Sequence, residues 1–201
     1  MSDVTSAFGK TCCPCQFDQF AFVPSRGALG GILAIWKSSV FSGTVVSNDT
    51  HALVTSFVST QTSQTWTLAN VYGPCAGEER DIFTNWLYDV SIPNGKDWLF
   101  LGDFNYMHAP DNRNKPGGNM QDMLTFNAII HKQQLIELPV QGRAYTWSNV
   151  QTDPLLEQID WFFTSLNWTT VYPKTLVKPL GKPVSDHIPC VVKIETSIPR
   201  I

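Results

Sequence analysis

This chain is poor in charge, in leader-like or membrane-like segments, and in early acidic residues. Only 15% of its 201 residues are charged, too few for a disordered, self-solvating chain. Lys and Arg number 14 against 17 Asp and Glu, a formal charge of -3. That excludes a broad basic surface for tight, non-specific nucleic-acid binding. It leaves room for a nucleic-acid substrate, because a site that holds a divalent cation among carboxylates is itself acidic. No stretch approaches the roughly 18–20 apolar residues of a spanning helix, so no membrane partner is expected. Met1 to Lys10 lacks a basic region followed by an apolar core. No secretory leader is therefore read, and an intracellular location, nuclear or cytoplasmic, is expected. Cysteine is scarce and odd in number: Cys12, Cys13 and Cys15 are bunched, while Cys75 and Cys190 stand apart. With no second pair or histidine at zinc spacing, reduced thiols are the plainer reading.

What is present is enough for a buried core: 43% of residues are hydrophobic and 12% aromatic. Residues 1–20 read as an irregular segment, and 21–201 as one domain. Gly31 to Trp36 is a short apolar run suited to a buried strand. Val40 to Ser47, Ala52 to Ser59 and Thr65 to Tyr72 read as further strands, the last ending at Gly73-Pro74. Glu78 to Val90 predicts a helix with Ile82, Phe83, Trp86, Leu87 and Val90 inward. Trp98 to Leu101 is a buried strand that runs into Gly102-Asp103. Gln121 to Gln133 predicts a second helix with Met123, Phe126, Ile129 and Ile130 inward. Asp160 to Thr164 and Cys190 to Glu195 are the last clear strands. The Pro-, Gly- and Asn-rich loop from Met107 to Asn119 is of a size often used for function. Many strands with few helices point to a layered α/β or α+β domain. The apolar strands look buried on both faces, so helices should cover sheets.

Five short motifs carry chemistry. Asp103 and Asn105 follow a buried strand and a glycine, placing a carboxylate and an amide at the strand's end. A carboxylate there can hold a hard cation or orient a nucleophile, and an amide can meet a phosphate without repelling it. Taken alone, both residues are also ordinary turn formers. His187 follows Asp186, and Asp160 lies 27 residues earlier on a candidate strand. A carboxylate beside a histidine fixes its tautomer and steadies the imidazolium. The plainer reading is a surface histidine next to a solvated aspartate. Tyr72 can offer a hydroxyl to a phosphate and Trp147 a wall to a sugar or base; core packing is the usual fate of both. Arg113 and Lys115 can touch a phosphate backbone, although isolated cations are more often solvated. His51, His108 and His131 have no comparable partner in sequence.

The order and spacing of Asn70-Val71-Tyr72-Gly73-Pro74, Gly102-Asp103-Phe104-Asn105, Tyr145-Thr146-Trp147, Ile159-Asp160 and Ser185-Asp186-His187 together resemble the endonuclease/exonuclease/phosphatase superfamily. Within it, Gly30 to Leu33, Asn70 to Pro74, Gly102 to Asn105, Tyr145 to Asn149 and Ser185 to His187 are most similar to endonuclease domains of plant long-interspersed-element retrotransposons. The resemblance spans about Gly30 to Ile194. It implies a four-layer α/β sandwich, two packed and mostly antiparallel sheets flanked by helices. It implies that Asp103 orients or deprotonates water and that Asn105 holds the scissile phosphate. Tyr72 would support the phosphate or leaving group. His187, partnered by Asp160, would stabilise the transition state or act as acid. Asp186, with Asp103, would stand near a magnesium ion, and Trp147 would line a wall facing DNA.

The pattern also breaks. Relatives open with a strand carrying an Asn and a second strand ending in a metal-binding Glu, whereas the first Glu here is Glu78. The expectation is a fold lacking its first strands, with weakened magnesium affinity and low or absent activity. Gln158 stands where relatives carry Arg, which removes a charge-assisted contact. The competing expectations are a non-catalytic remnant that binds DNA or protein, and a phosphatase acting on a small phosphorylated substrate.

Overall fold

The computed structural model describes residues 16–25, 30–181 and 185–194. Cys12, Cys13, Cys15 and most of the segment expected to be irregular lie outside the described residues. The chain divides into two compact units, residues 1–72 and 73–201.

In the first unit, β1 (Gln19–Val23) pairs antiparallel with β2 (Ile32–Trp36), in register from Gln19 opposite Trp36 to Val23 opposite Ile32. β3 (Phe41–Asp49), β4 (Ala52–Ser59) and β5 (Thr65–Tyr72) form an antiparallel meander. Burial of β2 on both faces is not what the structure shows. Ile32, Ala34 and Trp36 are buried while Leu33 is 44% exposed. The strand has one wet face, so its side chains alternate. The buried face joins Val23, Leu53 and Phe57 in one apolar cluster. Trp36 meets the Phe57 ring edge-on at 5.4 Å, and Trp66 stacks on the same ring at 4.9 Å.

The second unit carries α1 (Glu79–Asp89), β6 (Trp98–Asp103), α2 (Met120–Lys132), β7 (Ile136–Glu137), β8 (Trp147–Ser148), β9 (Leu156–Glu157), β10 (Asp160–Thr164), α3 (Leu166–Val171), β11 (Leu176–Pro179) and β12 (Cys190–Lys193). β10 lies between β6 and β7, antiparallel to both. β8 pairs with β9 and β11 with β12, again antiparallel. Asn119 caps α2 by accepting from the Gln121 and Asp122 amides. Met123, Phe126, Ile129 and Ile130 then face inward as the spacing predicts. Phe126 closes an aromatic core, 5.8 Å from the Phe104 ring and 6.1 Å from that of Phe163.

Helix α1 sits differently from its expected face. Phe83, Thr84 and Leu87 are buried, but Ile82 is 61% exposed. Phe83 and Leu87, one turn apart, set the inward stripe, and Ile82 lies about 100° around from Phe83. The next place on that stripe is taken by Arg80, whose guanidinium lies 3.8 Å from the Tyr106 ring centroid. No helix among the described residues is long and apolar enough to cross a membrane.

Candidate active site

The site begins with strand register. Antiparallel pairing of β6 and β10 sets Asp103 directly opposite Asp160. Both side chains are largely buried, 11% and 15% exposed, against 32% for the His187 that bridges them. His187 Nδ1 is 2.9 Å from Asp160 Oδ2 and 3.1 Å from Oδ1. Its Nε2 lies 3.8 Å from Asp103 Oδ2. Asp160 thus accepts a hydrogen bond from Nδ1–H and turns Nε2 toward Asp103.

Two carboxylates facing each other in a dry place cannot both be charged at ordinary cost. Burial first, then the Asp160 charge, push the Asp103 carboxyl up to about 7, against the pull of His187 and Asn105. The hydrogen bond to Asp160 holds the His187 imidazole above its ordinary value, despite burial. The result is a carboxyl that changes charge near neutrality beside an imidazole that keeps its proton more readily than an ordinary histidine.

Asn105 braces Asp103. Its amide N–H donates to Asp103 Oδ1 at 2.9 Å, while Nδ2 donates to Asp103 Oδ2 at 2.9 Å and to the Gly73 carbonyl at 2.7 Å. Both side-chain amide hydrogens are therefore committed, and a phosphate would have to displace Gly73 or Asp103 to reach them. Gly73 also donates from its backbone N to the Asp103 carbonyl at 2.7 Å. A Cβ at position 73 would lie 2.2 Å from the Phe104 carbonyl oxygen, so glycine is required there by space alone. This is why the Tyr72-Gly73-Pro74 motif carries its glycine.

Thr146, quoted in the sequence without a role, joins the pieces. Its buried hydroxyl accepts from the Ile159 and Asp160 amides at 3.2 and 3.1 Å. Its carbonyl accepts from Ile188 N at 2.8 Å, and Ser148 N donates to the Asp186 carbonyl at 2.9 Å. Trp147 lies across from His187 in an isolated antiparallel bridge. The Tyr145 to Ser148 segment therefore hangs His187 beside the start of β10. A threonine between two aromatics carries no distinctive sequence signal, because its work is to meet backbone from two distant segments.

Asp186 is exposed and accepts from Trp147 Nε1 at 3.1 Å, which holds its carboxyl below the ordinary value. Trp147 lines an open cleft of about 230 Å³ with Arg143, Tyr145, Leu156 and Ile188. Tyr72 ends the first unit, where its ring packs against that unit's apolar cluster and its backbone bonds His51. Lys115 is paired with Asp153 at 2.6 Å. Arg113 Nε stands 3.3 Å from Glu157 Oε1, close enough for charge attraction but not aligned as a hydrogen bond. Gln158 pairs with Asn112 through neutral amides at 2.9 Å. His108 lies edge-on to Trp161, with ring centroids 4.3 Å apart. Among the described residues no three Asp, Glu, His or Cys side chains converge to hold a metal ion. Asp103 and Asp186, the two carboxylates expected near a magnesium ion, would need water or substrate oxygens to complete its ligands.

The model of the Endonuclease/Exonuclease/phosphatase family matches residues 7–187. Solved structures of similar shape include the endonuclease domain of TRAS1, a telomere-specific non-LTR retrotransposon. It is 12% identical at a TM-score of 0.67, covering 90% of this chain and 81% of that one. TDP2 of D. rerio, complexed with a single-strand DNA product, is 13% identical at a TM-score of 0.59, covering 98% and 83%. A mannosyl-6-phosphatase of Bacteroides thetaiotaomicron is 12% identical at a TM-score of 0.52, covering 90% and 78%. These likenesses bear out the expected α/β sandwich and speak to fold alone. No curated protein matches the chain significantly.

Proposed function

Because this chain belongs to the endonuclease/exonuclease/phosphatase family, whose fold is that of a hydrolase, we propose that its Asp103–His187–Asp160 cluster cleaves phosphodiester bonds in DNA. The observation that carries the reading is His187 held between two carboxylates, 2.9 Å from Asp160 and 3.8 Å from Asp103. Asp103, raised toward neutrality, is suited to take a proton from an attacking water. Asn105 holds that carboxylate in one orientation. His187, kept in one tautomer by Asp160, presents Nε2 to the same small volume. There its N–H stabilises charge developing on the phosphoryl oxygens, and its proton is available to the leaving group. Trp147, on the segment beside His187, supplies an aromatic wall on which a base or sugar can rest.

Catalysis is slow in this proposal. Family members generally use divalent metals, and no set of three Asp, Glu, His or Cys side chains among the described residues is arranged to hold one. DNA is preferred over a small phosphorylated substrate because Arg113 and Lys115, the two cations of the 107–119 loop, are engaged in ion pairs. Arg113 sits against Glu157 and Lys115 against Asp153, so neither is free to grip a multiply charged small molecule.

The test is nicking of supercoiled plasmid across a magnesium series, beside release of phosphate from inositol phosphates. Slow nicking that climbs with magnesium, and that falls about a hundredfold or more in His187→Ala, is expected. No nicking at any concentration, or nicking indifferent to that substitution, would defeat the proposal. Faster turnover of inositol phosphates would replace it with the phosphatase reading.

A further inference from the structure

Arg80 is absent from every motif, yet it reaches into the loop that carries the candidate catalytic pair. Its Nη1 donates to the carbonyls of Pro74, Cys75 and Asn105 at 3.0, 3.1 and 3.2 Å. Nη2 donates to Asp122 at 2.9 Å, and the guanidinium plane lies over Tyr106. Only a planar, permanently charged fork can stack on a ring and serve these acceptors together.

The three carbonyls belong to the two chain segments that grip Asp103. Pro74 and Cys75 continue from Gly73, whose N–H bonds the Asp103 carbonyl and whose own carbonyl takes Asn105 Nδ2. Asn105 sits at φ +54°, a left-handed backbone that side chains rarely adopt. Its N–H is held by Asp103 and its carbonyl by Arg80. The strained residue is therefore pinned at both ends, and that conformation is what folds its side chain back onto Asp103.

We propose that Arg80 is a positioning residue for the hydrolysis. It fixes Asn105 in the left-handed conformation and so sets the orientation of the Asp103 carboxylate, without itself touching substrate. The inference rests on the proposed hydrolase reading. The competing account is that Arg80 merely ties α1 to α2 through Asp122.

Three variants separate these accounts: Arg80→Met, Arg80→Lys and Asp122→Asn. Each is followed by nicking kinetics, thermal midpoint and hydrogen exchange at the Asn105 backbone amide. Arg80→Met should lower kcat by about tenfold to a hundredfold with KM within about twofold, and should speed exchange at Asn105 by about tenfold or more. Arg80→Lys should recover part of both, because an ammonium reaches some of the carbonyls but cannot fork. Asp122→Asn should lower the thermal midpoint while leaving kcat within about twofold and exchange at Asn105 unchanged. If Asp122→Asn costs as much kcat as Arg80→Met, the helix-tie account stands and the proposal falls. Normal kcat and normal exchange in folded Arg80→Met or Arg80→Lys would overturn it equally. Should the wild-type chain hydrolyse nothing, the hydrolase reading fails on its own. Exchange at Asn105 then decides whether Arg80 sets that backbone.

Discussion

The two ends of the β6–β10 ladder are built from the same pair of strands and do opposite things. At one end, Leu99 faces Thr164, and neutral groups close on themselves. Ser165 N donates to the Trp98 carbonyl, Trp98 N donates to Ser165 Oγ, and that hydroxyl donates to the Lys96 carbonyl at 2.8 Å. Trp98, Leu99, Thr164 and Ser165 are all buried. At the other end, Asp103 faces Asp160, and the pair is bridged by a histidine. Burial, and after it the opposed Asp160 charge, disfavour a charged carboxyl there, and Asp103 holds its proton up to about 7. Sheet pairing that is fully satisfied at one end lets the other keep an arrangement that would not persist in isolation.

The sharpest way to break that contrast is Asp160→Asn. It keeps an acceptor for His187 Nδ1 but removes the charge facing Asp103. Loss of the imidazolium's partner should lower kcat for nicking by about a hundredfold or more. The same variant has a signature in stability. Between the ordinary carboxyl value of 3.8 and about 7, native Asp103 keeps a proton that the unfolded chain has released, so stability falls as pH rises through that window. His187 adds in the same direction. Its folded-state value lies above 6.5, so its contribution is complete below 6.5 and is lost as pH rises past the folded value. In Asp160→Asn both causes weaken, and urea midpoints measured across this range in metal-free buffer should vary less with pH. An unchanged slope would show that the opposed charges are not what sets the Asp103 proton.

Next in size is Gly73→Ala. A methyl group placed 2.2 Å from the Phe104 carbonyl oxygen and 3.1 Å from the Phe83 ring forces backbone to move. A cost of about 3 kcal/mol is expected, with nicking reduced because Gly73 bonds both Asp103 and Asn105. A variant with wild-type urea midpoint and rate would show that the charged end of the ladder tolerates slack.

Much of this was legible in the sequence, and the rest was hidden for definable reasons. The inward face of α2 and the spans of β4 and β5 follow directly from periodicity and turn residues. The meeting of Asp103, Asn105, Asp160 and His187 follows from motif order, since each sits at a strand end or beside one. The face of α1 was misjudged because counting apolar residues favours Ile82, whereas the helix turns its stripe toward Phe83 and Leu87 and gives the adjoining place to Arg80. Arg80 itself was invisible for the same reason: a cation on a helix reads as solvated until the carbonyls it serves are brought to it from positions 74, 75 and 105. The commitment of the Asn105 amide to Gly73 also lay beyond sequence, because a residue type declares what it can donate but not what has already claimed the hydrogen.

Ser165→Ala is the smallest effect and the cleanest control on the comparison. Its hydroxyl serves the Trp98 amide and the Lys96 carbonyl at once, so removal leaves a buried donor without an acceptor. About 2 kcal/mol of stability should be lost, visible as a lower urea midpoint with unchanged slope. The ladder passes from Thr164 opposite Leu99 to Asp160 opposite Asp103 through three intervening pairs, all within ordinary strand pairing that deforms little. The nicking rate should therefore stay within about twofold of wild type. If the rate drops with the midpoint, the closed end is setting the geometry of the open one, and the two ends must be treated as a single device. If stability alone falls, the neutral end is scaffold, and the chemistry belongs to the end where charge is concentrated.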